Sequence, residues 1–264
     1  MVANRLPVDR LSRPLRDLRV SVTDRCNFRC AYCMPREVFG ADYEFLPRSE
    51  ILSYEEIARV VRIAHGLGVS KVRLTGGEPL LRADLPKLVE MLAAIGELDL
   101  ALTTNGVLLP KMATDLAAAG LERINVSLDS IDDAVFRRMN DAGVGVGEVL
   151  AGIEAADRAG LSPIKINAVV VRGVNDDGIV DLVRHFQGSG HIVRLIEYMD
   201  VGTSNDWKVD QVVTAAEMLT VLEREFDLEP LAPAYPGEVA KRWRHAGGGG
   251  EIGMVTSISR TFCG

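Results

Sequence analysis

Apolar and polar positions along this chain follow two rhythms. Short stretches rich in Val, Ile, Leu and Thr, at Leu18–Thr23, Lys71–Thr75, Leu98–Thr104, Arg123–Leu128, Ile164–Val171 and Ile192–Tyr198, alternate every second residue and predict strands. Between and after them the period lengthens to that of a helix, over Tyr54–Leu67, Leu85–Ile95, Lys111–Ala119, Glu148–Ala159, Gly178–Phe186 and Ala215–Glu225. Ser53 with Glu56, and Thr214 with Glu217, have the spacing of capping boxes and open two of these helices. Strand followed by helix, repeated, predicts an α/β protein with a parallel sheet and its helices outside. Glu251–Ser259 reads as one further strand.

The alternation itself says more. Parallel strands covered on both sides read as unbroken apolar runs, but here one face of each strand is polar. Arg19, Ser21 and Thr23 share a face of the first strand; Lys71, Arg73 and Thr75 of the second; Asp99, Thr103 and Asn105 of the third. Arg123, Asn125, Ser127 and Asp129 do the same on the fourth, and Lys165 and Asn167 on the fifth, while Ile124, Val126, Ile164 and Ile166 are left to pack under helices. A curved sheet with a wet concave side satisfies both faces. The expected architecture is therefore an open (βα)6 partial TIM-like barrel, since a closed eight-stranded barrel fills its interior with side chains. Solvated antiparallel strands would fit the helical connections poorly. Residues 1–200 are assigned to the barrel and 201–264 to a C-terminal extension.

Composition narrows the classes. The 264 residues are 47% hydrophobic without any apolar run of membrane-spanning length, and Arg5, Arg10, Arg13 and Arg16 interrupt the N-terminal stretch where a secretory signal would be continuous. A soluble cytoplasmic protein is expected. A net charge of −7 argues against a broad nucleic-acid footprint, so an anionic ligand must be met by local cations. Gly247 to Gly250 lacks the lysine and helix start of a phosphate loop and reads as a flexible turn.

Three of the four cysteines, Cys26, Cys30 and Cys33, fall within eight residues, spaced C-x3-C-x2-C directly after the first strand. Such clustering suits metal or redox use better than a disulfide framework. Three thiolates on a four-iron cube leave one iron open to a ligand. A structural zinc site would want four closed ligands, and His65, His185, His191 and His245 stand at no recognisable ligand spacing. Thr75-Gly76-Gly77-Glu78-Pro79 ends the second strand, where its glycines let main chain approach closely; alone it could be a purely structural turn.

The cysteine spacing, with the aromatic Tyr32 before the last thiol, resembles the radical S-adenosylmethionine superfamily. The resemblance implies that Cys26, Cys30 and Cys33 ligate a [4Fe-4S] cluster and that S-adenosylmethionine chelates the open iron and is cleaved to a 5′-deoxyadenosyl radical. Gly76, Gly77 and Glu78 resemble the segment that binds the cofactor's amino group, and Tyr32, Ser127 and Met199 match cofactor-contacting positions.

Longer stretches are more particular. Arg16 to Cys26, Met34-Pro35, Leu102 to Gly106, Arg123 to Asp129 and Glu197 to Gly202 resemble the GTP 3′,8-cyclase family of molybdenum cofactor biosynthesis, over nearly the whole chain. That resemblance implies removal of the ribose 3′ hydrogen of GTP and ring closure on guanine C8, with Arg19, Arg73, Thr103 and Lys165 contacting the nucleotide. It also implies a reductant such as flavodoxin or ferredoxin and a downstream cyclic pyranopterin synthase, and it leaves room for a homodimer. Three cations can grip a triphosphate; the alternative is that each pairs with an acid such as Asp99 or Asp129. The family's second cluster uses three cysteines, of which only Cys263 is present, so the sequence reads as a fragment of a longer enzyme. A radical enzyme acting on another anion, and an iron–sulfur carrier, are the competing classes.

Overall fold

The computed structural model describes residues 6–201, 206–235 and 237–260. They form two compact units whose segments interleave: Met1–Asn27, Glu44–Asn125 and Gly152–Ser162 in the first, Phe28–Tyr43, Val126–Ala151 and Pro163–Gly264 in the second.

The first unit contains β1 (Asp17–Ser21), α1 (Tyr54–Gly66), β2 (Lys71–Thr75), α2 (Leu85–Ala93), β3 (Asp99–Thr104) and α3 (Leu109–Ala118). β1 pairs with β2, and β2 with β3, all parallel, placing Arg19 opposite Arg73 and Arg73 opposite Ala101. α1 opens on the predicted capping box: the Ser53 hydroxyl accepts from the Glu56 N–H at 3.2 Å and the Glu56 carboxylate accepts from the Ser53 N–H at 2.7 Å. Val72, Leu74, Leu100 and Leu102 on the strands are buried, as are Ile57, Val61, Leu88, Leu92 and Leu116 on the helices. Each such side chain contributes roughly 1.5–3 kcal/mol relative to exposure.

β4 (Arg123–Ser127) leaves the first unit and enters the second, α4 (Asp133–Asn140) belongs to the second, and α5 (Val146–Arg158) runs back into the first. The second unit continues with β5 (Ile164–Val170), α6 (Ile179–Phe186), β6 (Ile192–Glu197), α7 (Ala215–Leu222), β7 (Leu228–Leu231), β8 (Ala240–His245) and β9 (Glu251–Val255). β5, β6 and β9 are parallel neighbours, and β9, β8 and β7 continue as an antiparallel ribbon. Along β5 burial alternates strictly, with Ile164, Ile166, Ala168 and Val170 inside the core and Lys165 and Asn167 half-buried on the other face.

Three details depart from the sequence-based expectation. α4 was not foreseen; it is short and polar, and is held by the Asp132 side chain, which accepts from the Val135 N–H, and by buried Phe136 and Met139. The β7–β8 pair was also missed. The strand expected over Glu251–Ser259 stops at Val255, because the N–H groups of Ile258 and Ser259 turn to the carboxylate of Glu197, each at 2.8 Å. Among the described residues no helix is long and apolar enough to cross a membrane.

Candidate active site

The cysteine loop begins where β1 ends, and in the first unit main-chain bonds hold its approach. The N–H of Val22 donates to Thr75 O, that of Gly77 to Thr23 O and that of Glu78 to Arg25 O, at 2.7–2.8 Å. Residues up to Arg25 are thereby laced to the end of β2. Close approach needs glycine: a β-carbon on Gly76 would lie 2.6 Å from Thr23 O, and one on Gly77 2.2 Å from Arg25 O.

Glu78 is buried, and its carboxylate accepts from the Leu80 N–H, the Thr104 hydroxyl and the Asn105 N–H at 3.0, 2.7 and 2.7 Å. Burial pushes this carboxyl above its ordinary value, and the three donors pull against that shift. Asn105 in turn donates its amide to Asn27 Oδ1 at 2.7 Å, the residue after Cys26. Glu78 thus keys the turn after β2 to the end of β3, and through Asn105 to the loop.

The rest of the loop belongs to the second unit. The Arg29 N–H donates to Asn140 O and the Ala31 N–H to Met139 O, while Cys33 and Met34 both donate to Cys30 O in a tight turn. The Arg29 guanidinium donates to Phe39 O at 2.7 Å and to Phe28 O at 2.7 Å. The Tyr32 hydroxyl donates to Asp129 Oδ2 at 2.8 Å, and Asp129 Oδ1 accepts from the Val169 N–H at 2.9 Å. Desolvation raises the Asp129 carboxyl to about 6, against the hydrogen bonds from Tyr32 and Val169. Burial, then the nearby Asp129 charge, push the Tyr32 phenol well above its usual range. The Tyr32 ring packs against the buried trio Met139, Val171 and Tyr198 and forms part of the wall of a cavity of about 260 Å³ that Gln211 also lines.

None of Cys26, Cys30 and Cys33 is in a disulfide. Among the described residues no three His, Cys, Asp or Glu side chains are drawn together as a ready metal-binding set. What fits an iron–sulfur cluster is the donor chemistry of the loop: three thiols on one short segment, partly accessible, and tied down by main-chain bonds on either side.

Of the expected nucleotide contacts, Arg19 and Arg73 are register partners on β1 and β2, and Arg19 donates to the Thr75 hydroxyl at 3.4 Å. Thr103 on β3 accepts from the Asn125 amide at 3.2 Å. Lys165 lies half-buried on β5. Asp99 pairs with Arg123, and Asp129 accepts from the Tyr32 hydroxyl. Ser127 ends β4, half-buried, and Met199 is 36% exposed just past β6. Cys263 lies outside the described residues.

Structure also adds residues that the sequence reading passed over. Arg194 of β6 stands in register with Asn167 of β5 and Gly253 of β9, on the face shared with Lys165; a lone arginine inside Ile192-Val193-Arg194-Leu195-Ile196 was the available signal. Asn27 and Asn175 carried no such signal, and Asn105, read only as part of the polar face of the third strand, gave no hint of its bond to Asn27.

Residues 20–186 match the family model of the radical SAM superfamily, and residues 191–264 that of Molybdenum Cofactor Synthesis C. A protein of Acidothermus cellulolyticus named GTP 3′,8-cyclase is 56% identical over 256 residues, covering 97% of this chain and 71% of the relative. One of the same name from Staphylococcus epidermidis is 51% identical over 97% of this chain and 75% of its own length. Among solved structures, Streptococcus suis SuiB bound to S-adenosylmethionine superposes with a TM-score of 0.64 at 22% identity, over 80% of this chain and 46% of SuiB. anSMEcpe with bound AdoMet gives 0.62 at 17% identity, over 81% of this chain and 58% of that protein. At such identities the likeness establishes the fold, the open, mainly parallel α/β partial barrel that the repeating strands and helices predict.

Proposed function

Because the chain belongs to the GTP 3′,8-cyclase family of the radical SAM superfamily, we propose that it converts GTP to (8S)-3′,8-cyclo-7,8-dihydroguanosine 5′-triphosphate, the first step of molybdenum cofactor biosynthesis. When bound, S-adenosylmethionine and a [4Fe-4S] cluster would supply the radical chemistry that the family applies to the ribose of GTP. The protein's task is placement. Cys26, Cys30 and Cys33 hold the cluster; Tyr32, Gly76, Gly77, Glu78, Ser127 and Met199 hold S-adenosylmethionine. With its carboxylate already accepting three hydrogen bonds, Glu78 contributes chiefly by fixing the turn.

Arg19, Arg73, Thr103 and Lys165 are assigned to GTP. Arg19 and Arg73 are register partners on the paired strands β1 and β2, and guanidinium groups can grip polyphosphate oxygens bidentately. Residues 1–200 are assigned to the radical SAM partial barrel and 201–264 to the C-terminal region leading toward a second-cluster segment, of whose three cysteines Cys263 is the one present in this sequence. A flavodoxin or ferredoxin supplies the electron, a cyclic pyranopterin synthase consumes the product, and the reaction takes place in the cytoplasm.

The observation that carries this reading is the cysteine loop, with three thiols outside any disulfide on a segment anchored at the end of β1. Its test is anaerobic reconstitution with iron and sulfide, then dithionite and S-adenosylmethionine, with 5′-deoxyadenosine measured by mass spectrometry with and without GTP. 5′-Deoxyadenosine that rises with GTP and disappears in Cys30→Ser is expected. Formation indifferent to GTP would transfer the assignment to another substrate, and none from protein with a verified cluster would end it.

A further inference from the structure

Asp129 is a buried carboxylate that the reaction itself does not call for. It follows β4, and its backbone and side chain meet a small polar network inside the second unit. The Asn175 amide donates to Asp129 O at 2.8 Å and to Val169 O at 2.9 Å, while Asn175 Oδ1 accepts from the Val171 N–H at 2.8 Å. The Val169 N–H and the Tyr32 hydroxyl occupy the two carboxylate oxygens. Asp129 and Asn175 are 5% and 4% exposed, so these bonds are shielded from water. Burying a carboxylate costs free energy that hydrogen bonds must offset, and here a donor meets each oxygen.

What the network holds is the Tyr32 ring. Tyr32 sits between Cys30 and Cys33, whose turn is closed by the Cys33 N–H donating to Cys30 O at 2.9 Å. The ring packs against Met139, Val171 and Tyr198 and, with them, lines the cavity of about 260 Å³. A phenol tethered at its oxygen cannot swing about its Cα–Cβ bond, so the tether fixes both the cavity wall and the backbone between two thiols.

We propose that Asp129 is the positioning residue of the cysteine loop: by tethering the Tyr32 hydroxyl to the end of β4 and to β5, it fixes the side chain assigned above to S-adenosylmethionine and the backbone between Cys30 and Cys33. This rests on the function proposed above, and it assigns Asp129 no contact with the reacting atoms.

The test compares Asp129→Ala, Asp129→Asn, Tyr32→Phe and the Asp129→Ala/Tyr32→Phe double variant, each reconstituted and checked for iron content and far-ultraviolet circular dichroism. The readouts are the S-adenosylmethionine dissociation constant, from the change it causes in the electron paramagnetic resonance of the reduced cluster, and the rate at which a chelator strips the iron. Loss of one hydrogen bond to a charged group predicts about tenfold weaker S-adenosylmethionine binding in Asp129→Ala and in Tyr32→Phe. The double variant should be no weaker than either, because both remove the same link. Asparagine can accept from Val169 and donate to the tyrosine oxygen, so Asp129→Asn should recover most of the affinity. Additive losses, an Asp129→Asn as weak as Asp129→Ala, or variants less stable yet unchanged in S-adenosylmethionine binding, would each overturn the inference. A parent protein that holds its cluster but binds no S-adenosylmethionine would instead overturn the function on which it rests.

Discussion

An alanine at position 77 would place its β-carbon 2.2 Å from the Arg25 carbonyl oxygen, a main-chain atom that cannot step aside. Gly147, within α5, has nothing within 4 Å of the same hypothetical atom. The two alanine substitutions should therefore diverge. Gly77→Ala is expected to lower stability by about 1–3 kcal/mol and to reduce iron uptake, because the segment leading into Cys26 loses its lacing. Gly147→Ala should leave iron uptake unchanged and raise stability by up to about 1 kcal/mol. Chemical denaturation of the metal-free proteins, with iron analysis after reconstitution, checks both. Asp129 gives a second prediction. Its carboxyl is raised from 3.8 to about 6 in the folded protein, so the native state holds this proton more tightly than the unfolded chain does. The group's contribution therefore falls as pH rises from about 4 to 6 and is level above that, an effect of order 3 kcal/mol. The stability of Asp129→Asn relative to the parent should rise over that window in denaturant titrations; a constant difference would show that the carboxylate is not desolvated.

Among the elements, Glu197 at the end of β6 links pieces that sequence periodicity could not connect. Its carboxylate accepts from the Ala215 N–H at the start of α7 and from the N–H groups of Ile258 and Ser259. Burial raises its pKa, but the bonds from Ser259, Ala215 and Ile258 outweigh it and hold the carboxyl below its ordinary value. Glu197→Gln replaces an acceptor oxygen with a donor facing N–H groups. Amide hydrogen exchange should quicken at residues 257–260 and in the first turn of α7, while β1 to β3 stay protected. Uniform quickening would mean global loosening instead. The same region shows what periodicity can and cannot reveal. α1 and α7 were legible because Ser53 and Thr214 cap within three residues of their partners. The end of β9 was not, because a residue some sixty positions earlier takes its N–H groups, and α4 was hidden by a charged sequence that reads as loop until Phe136 and Met139 find a core.

At the scale of the whole molecule, the alternation of strands and helices and the polar faces of β1, β2 and β5 gave the architecture before any coordinates. The thiol spacing pointed to iron–sulfur chemistry for the loop. What stayed hidden was support: Asn105 reaching Asn27, Asp129 reaching Tyr32 and Asn175 reaching Asp129 are pairings across tens of residues with no local pattern. The cations are a case in between. Arg19 and Arg73 were each legible, but their opposition across paired strands was not. Changing either to alanine is expected to raise the KM for GTP by about tenfold or more, with little effect on S-adenosylmethionine affinity; a fall in kcat at unchanged KM would remove them from nucleotide binding.

The main-chain bonds that lace Val22 to Glu78 around the start of the cysteine loop, and Arg29 to Met34 at its far side, are formed between protein atoms alone. In zinc fingers the metal and the fold arrive together, and a chelator unfolds the chain. The bonds on both flanks of this loop need no metal as a partner. If they carry the loop's course, a chelator that strips the iron should leave the far-ultraviolet circular dichroism of the chain unchanged, and a collapse of that signal would show that the metal holds the fold as it does in a zinc finger.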